Sequence, residues 1–206
     1  MSLRPAVLVA LLLALPGIAQ AQPAADAGAR IQLAFQGGFL GKLHFSDSAA
    51  NPGSYQFSYG FLARIDTAVA RYLVAGGEVG FSRFNAESLD AAGIGRGTYA
   101  DVGSVWKLRY PIPLDSGKYL EPYLMVPLGI TFFAPSTQWD VMAGGAGFYT
   151  GGFAGLTYFL GPRTMMIGEL GWQHRFTWQE FQSGGEHRTF ANGGQLTFRV
   201  GLALRL

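Results

Sequence analysis

His44-Phe45-Ser46 sets a base and a serine hydroxyl two residues apart, with an acid, Asp47, beside them. A hydroxyl becomes a nucleophile when a neighbouring base takes its proton and a third group orients that base, so this is the minimal pattern for acyl transfer. A three-residue match of this kind arises readily by chance, and a solvated loop histidine explains it as well. His44 and Ser46 are therefore weak catalytic candidates, and the chain reads as non-enzymatic. His44 and His187 fall in predicted outer loops, with Glu180 and Glu186 flanking the latter. Nothing brings the three or four converging ligands of a metal site together, so no metal is expected. His174 is expected at an outer rim among aromatics. There is no cysteine, which excludes a thiolate nucleophile and a disulfide scaffold. No glycine cluster follows a strand and opens a helix, so neither a nucleotide nor any other cofactor is implied.

A larger constellation carries charge rather than catalysis. Arg64, Asp66, Glu78, Asp101, Lys107, Arg109, Glu121, Glu169, Arg175, Arg199 and Arg205 each fall on the polar side of an alternating segment, six basic and five acidic. Glu78, Asp101 and Glu169 with Arg64 and Arg199 are the expected centre of a network.

The elements that hold these residues are strands. Successive side chains of a strand point to opposite faces. Leu196, Phe198, Val200, Leu202, Leu204 and Leu206 share one face up to the last residue, opposite Thr197, Arg199, Gly201, Ala203 and Arg205. Tyr55 to Asp66, Leu73 to Ser82, Tyr99 to Tyr110, Leu120 to Phe132, GGFAGLTYFL and MMIGELGWQHRF repeat the pattern. Ile31 to Gln36 is a less regular first strand. Eight strands of about ten residues result, the length a tilted membrane strand needs.

Connections alternate in length. LHFSDSAANPGS, NAESLDAAGIGRG, APSTQWDVMAGGAG and TWQEFQSGGEHRT are long; those around TAVAR, PIPLDSGK and GPR are short. Outer-membrane barrels place long loops outside and short turns in the periplasm, which puts both termini on the periplasmic side. Ala6 to Leu15 is an apolar run after Arg4, followed by Pro16 and the small-x-small site Ala19-Gln20-Ala21. That is a secretory signal peptide cut after Ala21, too short to span a bilayer. Residues 1–21 are the signal and 22–206 one barrel domain. Without Arg4 the chain keeps 14 basic and 13 acidic residues, which gives nucleic acid nothing to bind.

Two barrels fit eight alternating strands, a soluble lipocalin-like one and a membrane one. Composition separates them. Charged residues are 14% of the chain and the only lysines are Lys42, Lys107 and Lys118, too few for a wetted outer surface. The polar faces carry small residues that suit a narrow interior. Trp106, Tyr110, Tyr158 and Trp172 then form an aromatic girdle. The inward charges must be partnered, since desolvation costs several kcal/mol per ion. Eight strands leave an interior only wide enough for side chains, so the lumen is expected to be plugged; a small passive, porin-like pore is the alternative.

The stretch GGFAGLTYFLGPRTMMIGELGWQHRF resembles the sixth strand, short turn and seventh strand of small OmpA/OmpX-like outer-membrane β-barrels of Gram-negative bacteria. GLALRL resembles their carboxy-terminal insertion signal, although that signal usually ends in an aromatic and this chain ends in Leu206. The resemblance implies an all-β, eight-stranded antiparallel up-and-down barrel, a monomer integral to the outer membrane. Its partners would be outer-membrane lipid, lipopolysaccharide, the barrel-insertion machinery through the last strand, and a surface ligand at the outer loops. No peptidoglycan-binding domain is seen after the barrel, so the anchoring role of larger relatives is not implied. Trp139, Phe148, Trp178 and Phe181 are expected as apolar handles at loop tips. Surface interaction, adhesion or envelope integrity is the expected work. The alternative is a lipid A-modifying enzyme; the lipid A deacylases carry their histidine and serine late in the chain, where this sequence reads Trp172-Gln173-His174-Arg175 without a serine.

Overall fold

The computed structural model describes residues 28–45, 53–86, 96–114, 118–135, 142–143, 145–181 and 187–206. Eight long strands account for most of them: β1 (Arg30–Phe45), β2 (Gly53–Ala70), β3 (Leu73–Ala86), β4 (Arg96–Arg109), β5 (Tyr119–Pro135), β6 (Gly145–Phe159), β7 (Thr164–Phe181) and β8 (His187–Arg205). Each pairs antiparallel with its sequence neighbours, and β8 closes on β1 from Arg30 opposite Arg205 to Phe45 opposite Ala191. Two short pieces, Ile112–Pro113 on β5 and Met142–Ala143 on β7, extend the edges of this wall. Closure removes the free sheet edge that could not persist in lipid. It runs to the last residue, whose amide donates to the Ala29 carbonyl at 2.9 Å.

Burial follows the alternation. Leu33, Phe61, Val79, Val102, Ile130, Leu170, Val200 and Leu202 point outward and are about half exposed or more, while Gln32, Arg64, Glu78, Asp101, Glu169 and Arg199 point inward and are buried. A water-soluble lipocalin-like barrel would show the reverse. An apolar outside and polar inside is the distribution a lipid-facing barrel requires.

The strands are longer than the alternation alone predicts. They span 14 to 19 residues, where a tilted membrane strand needs about 9–11. The surplus lies largely at the long-loop end. Thr177–Phe181 and His187–Thr189, expected as loop, pair in register as the tops of β7 and β8. Phe148 and Trp178, expected at loop tips, instead sit on the outward faces of β6 and β7. Phe181 ends β7, and Trp139 lies outside the described residues. Polar runs such as TWQEF hide a strand because backbone pairing above the lipid band needs no apolar face.

One irregularity changes what β1 presents. Leu40 adopts a φ of 54°, and the β1–β8 register slips between Phe39 and Lys42. One extra residue on one strand is a β-bulge, and it inverts the alternation beyond it. Lys42 and His44 therefore face outward as Phe35 does below the bulge. Elsewhere the walls approach closely: a Cβ built on Gly60 would lie 1.8 Å from the Phe81 carbonyl oxygen.

Candidate functional site

The lumen is the most densely organised part of the molecule. At the turn end Arg30, at the start of β1, donates to Glu121 of β5 at 2.7 and 3.2 Å, and Arg109 of β4 donates to the same carboxylate at 2.9 Å. The guanidinium of Arg30 also lies 5.7 Å from the centre of the Phe159 ring, and that of Arg205 5.4 Å from it. Aromatic faces attract such cations.

Above this tier, Lys107 bonds Asp66 at 2.5 Å and Gln32 at 3.3 Å. Gln32 donates to Asp66 and accepts from Arg64 at 3.1 Å, joining this pair to the centre. Arg64 is the hub. Its guanidinium donates to Glu169 at 2.6 Å and to Glu78 at 2.9 Å, each contact doubled by a second at 3.3 and 3.2 Å. Arg199 reaches the same two carboxylates at 3.4 and 3.6 Å. Two tyrosines complete their shells: Tyr123 donates to Glu169 at 2.6 Å and Tyr149 to Glu78 at 3.0 Å. Three cations (Arg64, Lys107, Arg199) thus meet three carboxylates (Asp66, Glu78, Glu169), and the group is neutral.

Toward the loop end Asp101 forms a separate tier. Its carboxylate accepts from Arg175 at 2.6 Å, Thr131 at 2.6 Å and Gln173 at 3.3 Å. Asp101 is therefore not in the cluster of Glu78 and Glu169; on β4 it stands opposite Gly80 and Thr131, one step beyond the level of Glu78. Arg175 lies 4.6 Å over the Tyr99 ring, which stacks with Phe84 and meets Phe133 at a tilt toward the loop end of the lumen. Buried apolar side chains cluster beside these tiers. Leu62, Phe159, Met165 and Ile167 pack together, as do Val105, Tyr123, Met125 and Phe153. Charged tiers thus bond across the cylinder among such side chains, and moving any one ion would strip its partner in a desolvated interior.

Several participants were not singled out in the sequence, Thr131 and Gln173 beside Asp101 among them. Arg30 precedes the first apolar residue of its strand, and Gln32, Tyr123 and Tyr149 carry no charge to mark them. Only cross-barrel register shows that Tyr123 of β5 reaches Glu169 of β7.

The other expected residues are dispersed. Trp106 and Tyr110 face outward near the turn end, 51% and 62% exposed, and Tyr158 is half-buried there. Trp172 stands opposite Gly152 and Leu196, well inside β7. His44 is exposed on the outward face of β1; Ser46 and Ala21 lie outside the described residues. His174 is half-buried, paired with Asn192 and 4.5 Å from the Phe176 ring. Among the described residues no group of three His, Asp or Glu side chains could hold a metal ion.

No protein family and no curated protein matches the sequence. Solved structures do match the fold. The outer membrane protein OprG from Pseudomonas aeruginosa superposes with a TM-score of 0.62 at 10% identity, covering 88% of this chain and 97% of that one. The outer membrane protein AlkL, solved in lipid bilayers, gives 0.57 at 14% identity, covering 91% and 94%. At such identities the likeness is one of fold: the chain is a small antiparallel barrel of the outer-membrane type, like the OmpA/OmpX-like barrels its sequence resembles.

Proposed function

We propose that this protein is a non-enzymatic integral barrel of the bacterial outer membrane, with a closed lumen, acting through its outer loops in surface interaction or adhesion, or as a stabilising element of the envelope. The observation that carries this reading is the lumen. Arg64, held by Glu78, Glu169 and Gln32 between the Glu121 and Asp101 tiers, occupies the space a solute would need. With the interior committed to its own ion pairs, what remains for function is the outer wall and the connections at the loop end. The short turns and both termini face the periplasm in this reading, as in outer-membrane barrels generally. Residues 1–21 act as the export signal, and β8, ending on Leu206, is the strand read by the insertion machinery. Lipid and lipopolysaccharide surround the apolar wall, and the barrel works as a monomer.

The test is a deletion strain complemented with the wild-type chain or with a variant whose connections 46–52, 87–95, 136–141 and 182–186 are cut to short turns. Loss of surface attachment in the trimmed variant, with an intact detergent barrier, supports a loop-borne interaction. Rescue of a weakened barrier by the trimmed barrel supports envelope integrity. A deletion strain indistinguishable from wild type on both counts overturns the reading.

A further inference from the structure

The outer wall is not uniformly smooth. Between β3 and β6 it carries an apolar groove of about 530 Å3, lined by Leu73, Trp106, Leu108, Leu124, Val126, Gly152 and Ala154 on the outward face. Leu73, Leu108, Leu124 and Ala154 form one row across four strands, paired in register. Along that row Leu73 opens β3 and Leu108 stands one residue short of the close of β4, whereas Leu124 and Ala154 lie deeper within β5 and β6. The groove therefore starts at the turn-end rim and climbs obliquely into the lipid band. Its upper floor is low because Gly152 has no side chain, and a Cβ there would meet nothing within 4 Å.

The lower mouth is not apolar. Directly beneath the Leu73–Leu108 pair, Tyr72 and Tyr110 stack with ring centres 6.1 Å apart and an interplanar angle of 8°. The guanidinium of Arg71 lies 5.0 Å from the centre of the Tyr72 ring. Arg71, Lys118 and Arg163 are exposed at this rim, and Lys118 lies over Tyr158. Among the described residues every exposed charged side chain at the rim is a cation. A cation on an aromatic plate at headgroup depth, continuous with an apolar channel rising from it, matches one kind of molecule: an anion joined to a hydrocarbon chain.

We propose that this groove retains one anionic glycerophospholipid of the leaflet at the turn end, its phosphate on Arg71 above Tyr72 and one acyl chain lying over Leu108 and Leu124 toward Gly152. The inference rests on the reading that the wall faces a membrane. Bulk lipid wets the whole barrel, but here a recess and a cation adjoin, so one lipid should outlast the rest when detergent replaces the bilayer.

The experiment is native mass spectrometry of the detergent-purified protein titrated with dioleoyl-phosphatidylglycerol or with dioleoyl-phosphatidylcholine, whose chains are identical. Wild type should show a dominant one-lipid adduct with the glycerol lipid, favoured about fivefold, the contribution of roughly one cation at a headgroup. Gly152→Leu, whose Cβ would meet nothing within 4 Å and whose isobutyl group would occupy the recess, should lose the adduct for both lipids. Arg71→Ala should keep a weak adduct and lose the preference. Gly168→Leu adds the same bulk on the outward face of β7, outside the groove and where a Cβ likewise meets nothing within 4 Å, and should bind as wild type does. A statistical ladder of adducts in wild type, or an undiminished adduct in Gly152→Leu, overturns the proposal. Co-flotation with vesicles separates the two failures. A wild-type chain that does not float refutes the membrane reading itself, whereas one that floats and binds statistically refutes only the site.

Discussion

Replacing Arg64 by alanine removes the hub of the lumen while leaving the wall unchanged. In the wild-type barrel the guanidinium makes paired contacts to Glu169 and to Glu78 and a further one to Gln32. Once it is gone, two buried carboxylates depend on Arg199 at 3.4 and 3.6 Å and on the hydroxyls of Tyr123 and Tyr149. Stripping one partner from a buried ion pair costs about 3–5 kcal/mol, mostly the desolvation of the charge left behind. Arg64→Ala should therefore lower unfolding stability by about that amount. Arg64→Met combined with Glu169→Gln removes a charge of each sign and should recover at least about 1 kcal/mol of the loss, since contacting residues are not additive. The assay is urea unfolding of protein folded into phospholipid vesicles, followed by the fluorescence of Trp106, Trp172 and Trp178, which all face outward. A cost below about 1 kcal/mol for Arg64→Ala, or strict additivity in the double variant, would refute the argument that this network is desolvated and mutually dependent.

Further expectations follow from single sites. Asp101→Asn should cost about 2 kcal/mol in the same assay, because the acceptor of Arg175 and Thr131 loses its charge; no change would place that tier in contact with water. Gly60→Ala should lower stability by about 1–3 kcal/mol, since its Cβ would meet the Phe81 backbone, and a neutral result would show that the β2–β3 wall yields there. Lipid A from cells overproducing the protein should keep its mass; a one-chain shift that disappears in His44→Ala would make the protein an enzyme.

What the sequence discloses is the face of each residue, and what it withholds is height. Period-two alternation is enough to set Leu196 through Leu206 on one side and Arg199 on the other, because lipid and lumen demand opposite side chains along every strand. Pairing across the cylinder depends on register and stagger, which alternation leaves open. Thus Asp101 meets Arg175 rather than Arg64, and Arg30 of β1 shares Glu121 of β5 with Arg109 of β4 across the lumen. Strand tops such as Thr177–Phe181 escape for a related reason: beyond the lipid band the outward face is free to be polar. The bulge at Leu40 is illegible because glycine, the usual occupant of a positive φ, stands next to it at Gly41 instead.

If tiers of bonded charge close the lumen, planar-bilayer recording of the purified, folded protein will reveal it. The wild-type barrel should leave the membrane silent at all moderate voltages. Steady ohmic steps from wild-type protein, scaling with salt concentration, would contradict that closure and turn the same residues into the lining of a pore.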